Sequence, residues 1–182
     1  AAGLCTLILV YAAFPIAQVV RSAGDSLAAS KSAMVDFVFK DVVVEGIKLF
    51  GHIAALTALF GAICSLVGWV LGSPGMMAGA DLNQLFAYLY GLPADAMAAF
   101  MGMLGLEFVG GVIDGFLNWD VTGSEASGYT VDGALAVGWE FVQVVIILAK
   151  LYVVLAFYHF FWGVLNTFFN WIKSPYLPFK SS

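Results

Sequence analysis

Long apolar runs separated by short polar segments dominate the pattern of this chain. Residues 2–20 carry no charge and are followed by Arg21, and they approach the roughly 20 residues that a spanning helix needs. Residues 49–72 are apolar apart from His52 and run into GSPG, a sequence that stops helices. We therefore predict membrane-spanning helices over residues 2–20 and 49–72.

A third apolar stretch, residues 133–173, contains no proline. Wholly helical, it would be about 60 Å long, more than a bilayer is thick. The aromatic run FYHFFW lies in its second half, as is typical near a membrane interface. We predict that this stretch crosses the membrane at about 144–168 and ends in a polar, proline-broken tail over 173–182.

Three further segments carry more polar residues than these runs. Residues 25–48 hold four acids and three lysines, and an amphipathic helix near the headgroups is expected, although VDFVFK also alternates like a strand. Residues 81–92 lie between two prolines and predict a second, shorter interfacial helix. Residues 120–132 predict a solvated loop.

Residues 96–116 allow two interpretations. They are long enough to span, but they contain Glu107 and Asp114, and an acid at the middle of a bilayer costs about 2.5–3.5 kcal/mol. The alternative is a partly buried interfacial hairpin. If this segment spans, the chain has four spans in total. If it forms a hairpin, the chain has three.

The placement of basic residues favours the hairpin. No lysine or arginine lies between residues 49 and 149, and basic segments tend to remain together on one side of a membrane. With a hairpin, residues 73–132 lie on one side, whereas 21–48 and 173–182 share the other. We expect three spans on this argument and keep four as the alternative.

Composition supports the membrane class. Hydrophobic residues make up 62% of the 182 and charged residues 10%, whereas soluble domains carry about 25% charged residues. The chain lacks enough polar surface to face water. We predict an all-α, multi-pass transmembrane protein that forms a single membrane domain over residues 1–182.

Four ionisable residues in apolar surroundings are candidates for function. Glu107 and Asp114 lie two turns apart on one helix face, which fits either a proton or cation site or an acidic face that meets water or a basic partner. Glu140 and Lys150 would be about 15 Å apart along a helix, too far to pair directly. Lys150 therefore calls for an acidic partner elsewhere, or it snorkels towards the interface.

Histidines and glycines provide weaker candidates. His52 and His159 could ligate haem iron or chlorophyll magnesium, but no HxxH or CxxCH pattern supports this. For His52, at the first turn of its predicted span, a hydrogen bond to a headgroup or a backbone carbonyl suffices. Two small-xxx-small glycine pairs are suited to close helix packing. These pairs are Gly68 with Gly72 and Gly111 with Gly115.

No motif for catalysis is visible. The sequence has no phosphate loop, nucleophile elbow or paired zinc ligands, so we expect neither an enzyme nor a metal protein. With a pI near 4.7 and seven dispersed bases, nucleic acid is not an expected partner.

We expect instead a non-catalytic accessory or assembly subunit of a larger membrane complex, of the energy-converting (respiratory or photosynthetic) kind. Its partners would be other membrane subunits and the bilayer, with lipids or chlorophyll-type pigments as bound groups. Its location would be a thylakoid, mitochondrial inner or bacterial inner membrane. The alternative is a small oligomeric proton or cation channel, or a transporter subunit, that uses the intramembrane carboxylates.

Overall fold

The computed structural model describes residues 2–73, 94–119 and 129–173, and every regular element in them is helical. The helices are α1 (Ala2–Ala29), α2 (Met34–Val70), α3 (94–103), α4 (Glu107–Leu117) and α5 (Val131–Lys173). No strand occurs in these ranges, which confirms the all-helical prediction.

Three of these helices, α1, α2 and α5, are long and apolar enough to cross a membrane. Residues 96–116 do not form one continuous helix, because a turn at residues 104–106 separates α3 from α4. Gly105 has a φ of +74° in this turn, a conformation that glycine adopts without steric cost. The prediction of three long helices is therefore the one that the described residues support.

The segment 25–48 differs from the amphipathic helix expected for it. Helix α1 continues to Ala29, a turn occupies residues 30–33, and α2 begins at Met34 with a π-helical stretch, Phe37–Val42. The Ser30 hydroxyl lies within hydrogen-bonding distance of the hydroxyl of Ser32 and donates to the carboxylate of Asp41. Such side-chain bonds compete with helix formation, so this polar segment turns the chain between two long helices.

Helix α1 packs antiparallel to α2. The thiol of Cys5 lies 3.9 Å from the Cys64 carbonyl oxygen, and the thiol of Cys64 lies 3.9 Å from the Cys5 carbonyl oxygen. Farther along, the rings of Tyr11 and Phe60 are 6.3 Å apart. These contacts run from the start of α1 towards the 30–33 turn, so residue 20 of α1 lies at about the level of residue 50 of α2.

Helix α5 packs antiparallel to the other side of α2. Trp69 Nε1 donates to the Thr130 carbonyl oxygen at 2.9 Å, and at the far end the ring of Phe39 stacks on that of Trp162, with centroids 5.4 Å apart. We call the end of the bundle that contains residues 30–33 the turn end, and the opposite end the Trp69 end. Helix α2 is the central helix of the three.

Gly51 of α2 lies directly against Leu151 of α5. A Cβ atom placed there would lie 2.7 Å from Cδ2 of Leu151, a side chain with no exposed surface. The absence of a side chain at position 51 therefore makes room for Leu151, and small residues serve the same purpose at many membrane-helix interfaces.

The α3–α4 hairpin packs on the half of α5 that is nearer the turn end. Ala94, Met97 and Leu117 form a buried cluster with Val154. Phe100 makes edge-to-face contacts with aromatic rings farther along α5, at Phe157 and Phe161.

The expectation that all of residues 73–132 lie on one side of a membrane stays a prediction. Within the described ranges, residues 94–119 lie beside the turn-end half of α5. Apolar packing on α5 holds them in this position. The expected interfacial helix at 81–92 lies outside the described residues, as do residues 120–128 of the loop and 174–182 of the tail.

Candidate functional site

Lys150 lies at the junction between the hairpin and the three-helix bundle. Its side chain is buried, with 4% of the residue exposed, and its Nζ donates to two carbonyl oxygens, of Leu117 at 3.0 Å and of Trp119 at 2.6 Å. The last carbonyls of a helix lack intrahelical partners and carry partial negative charge. Lys150 therefore caps the C-terminus of α4 and fastens the hairpin to α5; we call this arrangement the Lys150 cap.

Glu140 lies about 15 Å from Lys150 along α5, towards the Trp69 end. Its half-buried carboxyl group lies near the hydroxyl of Ser65, a buried residue of α2. Gln143 is also buried, one turn farther along α5. These residues form a polar layer inside an otherwise apolar interface between α2 and α5.

The two carboxylates of α4 occupy different environments. Glu107 is exposed in the first turn of α4, where the helix N-terminus favours a negative charge. Asp114 is half-buried and accepts a hydrogen bond from Asn118 Nδ2 at 2.7 Å. Glu107 lies ten residues from the capped end of α4, on the side away from Glu140. The fold therefore spreads Glu107, Lys150 and Glu140 along the bundle.

The histidines have separate positions. His52 Nδ1 lies 2.6 Å from the carbonyl oxygen of Lys48, one turn earlier in α2. His159 is exposed and lines a cavity at the turn end. Within the described ranges, no group of three or more His, Cys, Asp and Glu side chains could hold a metal ion. A haem or pigment ligated by either histidine stays a prediction.

Of the two glycine pairs chosen from the sequence, the pair of Gly111 and Gly115 marks no close contact within the described residues. Gly111 and Gly115 are exposed, and a Cβ atom at either would meet no described atom within 4 Å. Gly72 has a φ of +62° and follows the end of α2, whereas Gly68 is buried.

The close approaches are at Gly51 and Gly110. A Cβ atom at Gly110 would lie 3.1 Å from the carbonyl oxygen of Ala98, so this glycine brings α4 against α3. The sequence analysis missed both residues. Gly51 could have been found, since it begins a small-xxx-small pair with Ala55 that includes no polar position other than His52.

Comparison of the chain with protein-family models, with curated proteins and with solved structures finds no match. The functional argument therefore depends on the geometry of the described residues.

Proposed function

We propose that this chain is a non-catalytic subunit of a larger integral membrane complex, to which it contributes packing surface. The observation that supports this proposal is an exposed aromatic part of α5 beside charged segments of α1 and α2. The argument begins with the level of the hydrocarbon core.

Exposed charges limit the part of the bundle that lipid tails can surround. Arg21 and Asp25 have side chains that are 84% and 77% exposed, and α2 carries five charged residues between positions 34 and 48. Residues 2–20 of α1 and 50–70 of α2 lie at the same level and carry no acidic or basic residue except His52. Residues 131–150 of α5 lie alongside them and hold three charged residues, Asp132, Glu140 and Lys150. Twenty helical residues span about 30 Å, the thickness of a hydrocarbon core. We call this level the apolar band.

The apolar band moves the expected crossing of α5. The sequence placed it at 144–168, but the antiparallel packing sets that part of α5 beside the charged start of α2. A crossing at about 131–150 avoids this conflict.

Residues 153–172, which we call the α5 extension, then project beyond the apolar band at the turn end. This segment is rich in aromatic residues, and every residue from Asn166 to Ile172 is exposed. Phe168 is 52% and Trp171 59% exposed, and their rings stack on one another. Exposed aromatic side chains that cluster in this way mark a site of protein or membrane contact, and the neighbouring charges of α1 and α2 favour protein.

Native purification tests the proposal with matched variants. In a mild detergent, the wild-type chain should migrate with companion subunits in constant proportion. Phe168→Ala with Trp171→Ala should release it as a single chain of 19.4 kDa, because both side chains lie on the α5 extension. Phe14→Ala is the control, since Phe14 is 66% exposed on α1 within the apolar band. A wild-type chain that is already solitary would overturn the proposal.

Ion conduction is the second candidate, and the polar layer of Ser65, Glu140 and Gln143 is the observation that favours it. This layer lies inside the apolar band, where a carboxyl group is a candidate proton site. Conduction is tested by reconstituting the chain in liposomes and measuring proton or cation flux. Flux that is abolished by Glu140→Gln and retained in Glu107→Gln would favour a path through this layer.

A further inference from the structure

A cavity of about 460 Å³ opens at the turn end of the bundle. The last turn of α1, the 30–33 turn and the first turns of α2 form its wall, and His159 of α5 lines it as well. Its volume lies within the range of sites that bind small molecules. The Lys150 cap contributes no residue to the cavity, and His159 is the residue of the α5 extension that lines it.

Three lysines and two acids line this cavity, so its formal charge is positive. The lining charges are Lys31, Lys40, Lys48, Asp41 and Glu45. Both acids already have partners: Glu45 pairs with Lys48 at 2.9 Å, and Asp41 accepts a hydrogen bond from the Ser30 hydroxyl.

The other two lysines have uncommitted donors. Lys31 and Lys40 are exposed, and within the described residues neither forms an ion pair. Lys40 attracts the carboxylate of Asp41 from a greater distance. The cavity therefore presents two ammonium groups, together with serine hydroxyls, to an anion that enters it.

The level of the cavity identifies the source of this anion. Lys48 lies at the edge of the apolar band, and Asp41 lies seven residues farther along α2, about 10 Å beyond it. This is the depth of the lipid headgroups. Basic pockets between membrane helices at this depth bind phosphate-bearing headgroups, and ammonium groups form strong charge-assisted hydrogen bonds with phosphate oxygens.

We propose that this cavity binds the phosphate-bearing headgroup of an anionic phospholipid. The lysines supply the charge-assisted hydrogen bonds, and the serine hydroxyls of the turn complete the contacts. The proposal does not require the chain to be a subunit of a complex.

Lipid retention tests the proposal on the full chain. The protein is placed in nanodiscs of phosphatidylcholine with a minor fraction of phosphatidylglycerol, and native mass spectrometry counts the lipids that remain bound. The wild type should retain phosphatidylglycerol well above its share of the bilayer. Lys31→Gln with Lys40→Gln should weaken this retention about tenfold or more, as expected for losing hydrogen bonds between charged groups.

Two controls separate a defined site from general attraction of charge. Arg21→Gln removes a positive charge at the same end of the bundle, but Arg21 lies outside the cavity lining and pairs with Asp25 at 3.8 Å. Its effect should stay below about twofold, because an exposed ion pair contributes little. Lys31→Arg with Lys40→Arg keeps both charges and should keep the lipid.

Other outcomes would overturn the proposal. Equal losses in Arg21→Gln and in the double glutamine variant would show general attraction without a site. Thermal stabilisation by inorganic phosphate in lipid-free detergent, without selective lipid retention, would assign the cavity to a soluble anion. Retention of phosphatidylglycerol by the wild type only in proportion to its share of the bilayer would also overturn the proposal.

Discussion

Replacing Lys150 with methionine tests the role of the Lys150 cap most directly. Methionine keeps most of the aliphatic length of lysine and removes the ammonium group. The two carbonyl oxygens of Leu117 and Trp119 then lose a donor that lies 3.0 and 2.6 Å away. We expect the α3–α4 hairpin to loosen from α5 while the three long helices stay packed.

The free energy of hairpin docking that this substitution removes follows from the two hydrogen bonds and from the burial of the charge. Each hydrogen bond to a charged group contributes about 1.5–3 kcal/mol, so the pair contributes about 3–6 kcal/mol. Taking the ammonium group out of water costs several kcal/mol and cancels part of this gain. A net loss of about 2 kcal/mol remains, which is about a thirtyfold change in the equilibrium between docked and undocked hairpin.

Hydrogen exchange in detergent micelles measures this change locally. Amides of α4 should exchange about thirtyfold faster in Lys150→Met, whereas amides near Gly51, which lies against Leu151 of α5, should keep their wild-type rates. Lys48→Met is the matched control, because Lys48 belongs to a half-exposed ion pair with Glu45. Unchanged exchange in α4 would refute the cap, and equally faster exchange throughout the bundle would refute its local character.

Three further changes have defined outcomes. Gly51→Ala should destabilise the bundle by about 1–3 kcal/mol in thermal melts, because its Cβ atom would press on Leu151. Gly61→Ala is the control and should not destabilise the bundle, because its Cβ atom would meet no described atom within 4 Å. Gly110→Ala should speed hydrogen exchange in α3, because the new Cβ atom would force α3 away from α4. Gly111→Ala is its control and should stabilise α4 by about 0.5–1 kcal/mol. Equal exchange rates of α3 in the two variants would contradict the close contact of Gly110 with Ala98. The buried thiols of Cys5 and Cys64 should resist maleimide until the protein is denatured, as followed by intact mass; rapid native labelling would contradict the packing of α1 on α2.

The long helices could be predicted because their signal is local and strong. The apolar runs that begin α1, fill most of α2 and fill α5 each reach about the length needed to cross a bilayer, whatever their neighbours are. The division of residues 96–116 was harder to predict. Gly105 is one of 20 glycines in the chain, and only its positive φ distinguishes it as a turn.

The candidate site was less predictable than the helices. Lys150 was identified as a buried charge in need of a partner, and an acid was expected. The hydrogen bonds described for it go to backbone carbonyls of residues more than 30 positions away. A carbonyl group occurs in every residue, so a sequence contains no signal for which one a lysine will reach.

The sequence by itself determined which segments form long apolar helices, because hydropathy and length are properties of each segment alone. The tertiary structure decided the relative level of those helices. It also decided that the chain turns at residues 30–33 and that the hairpin packs on the turn-end half of α5. Such outcomes depend on contacts between distant segments, such as Gly51 with Leu151 and Lys150 with Leu117. Their energies become defined only when the backbones have come together.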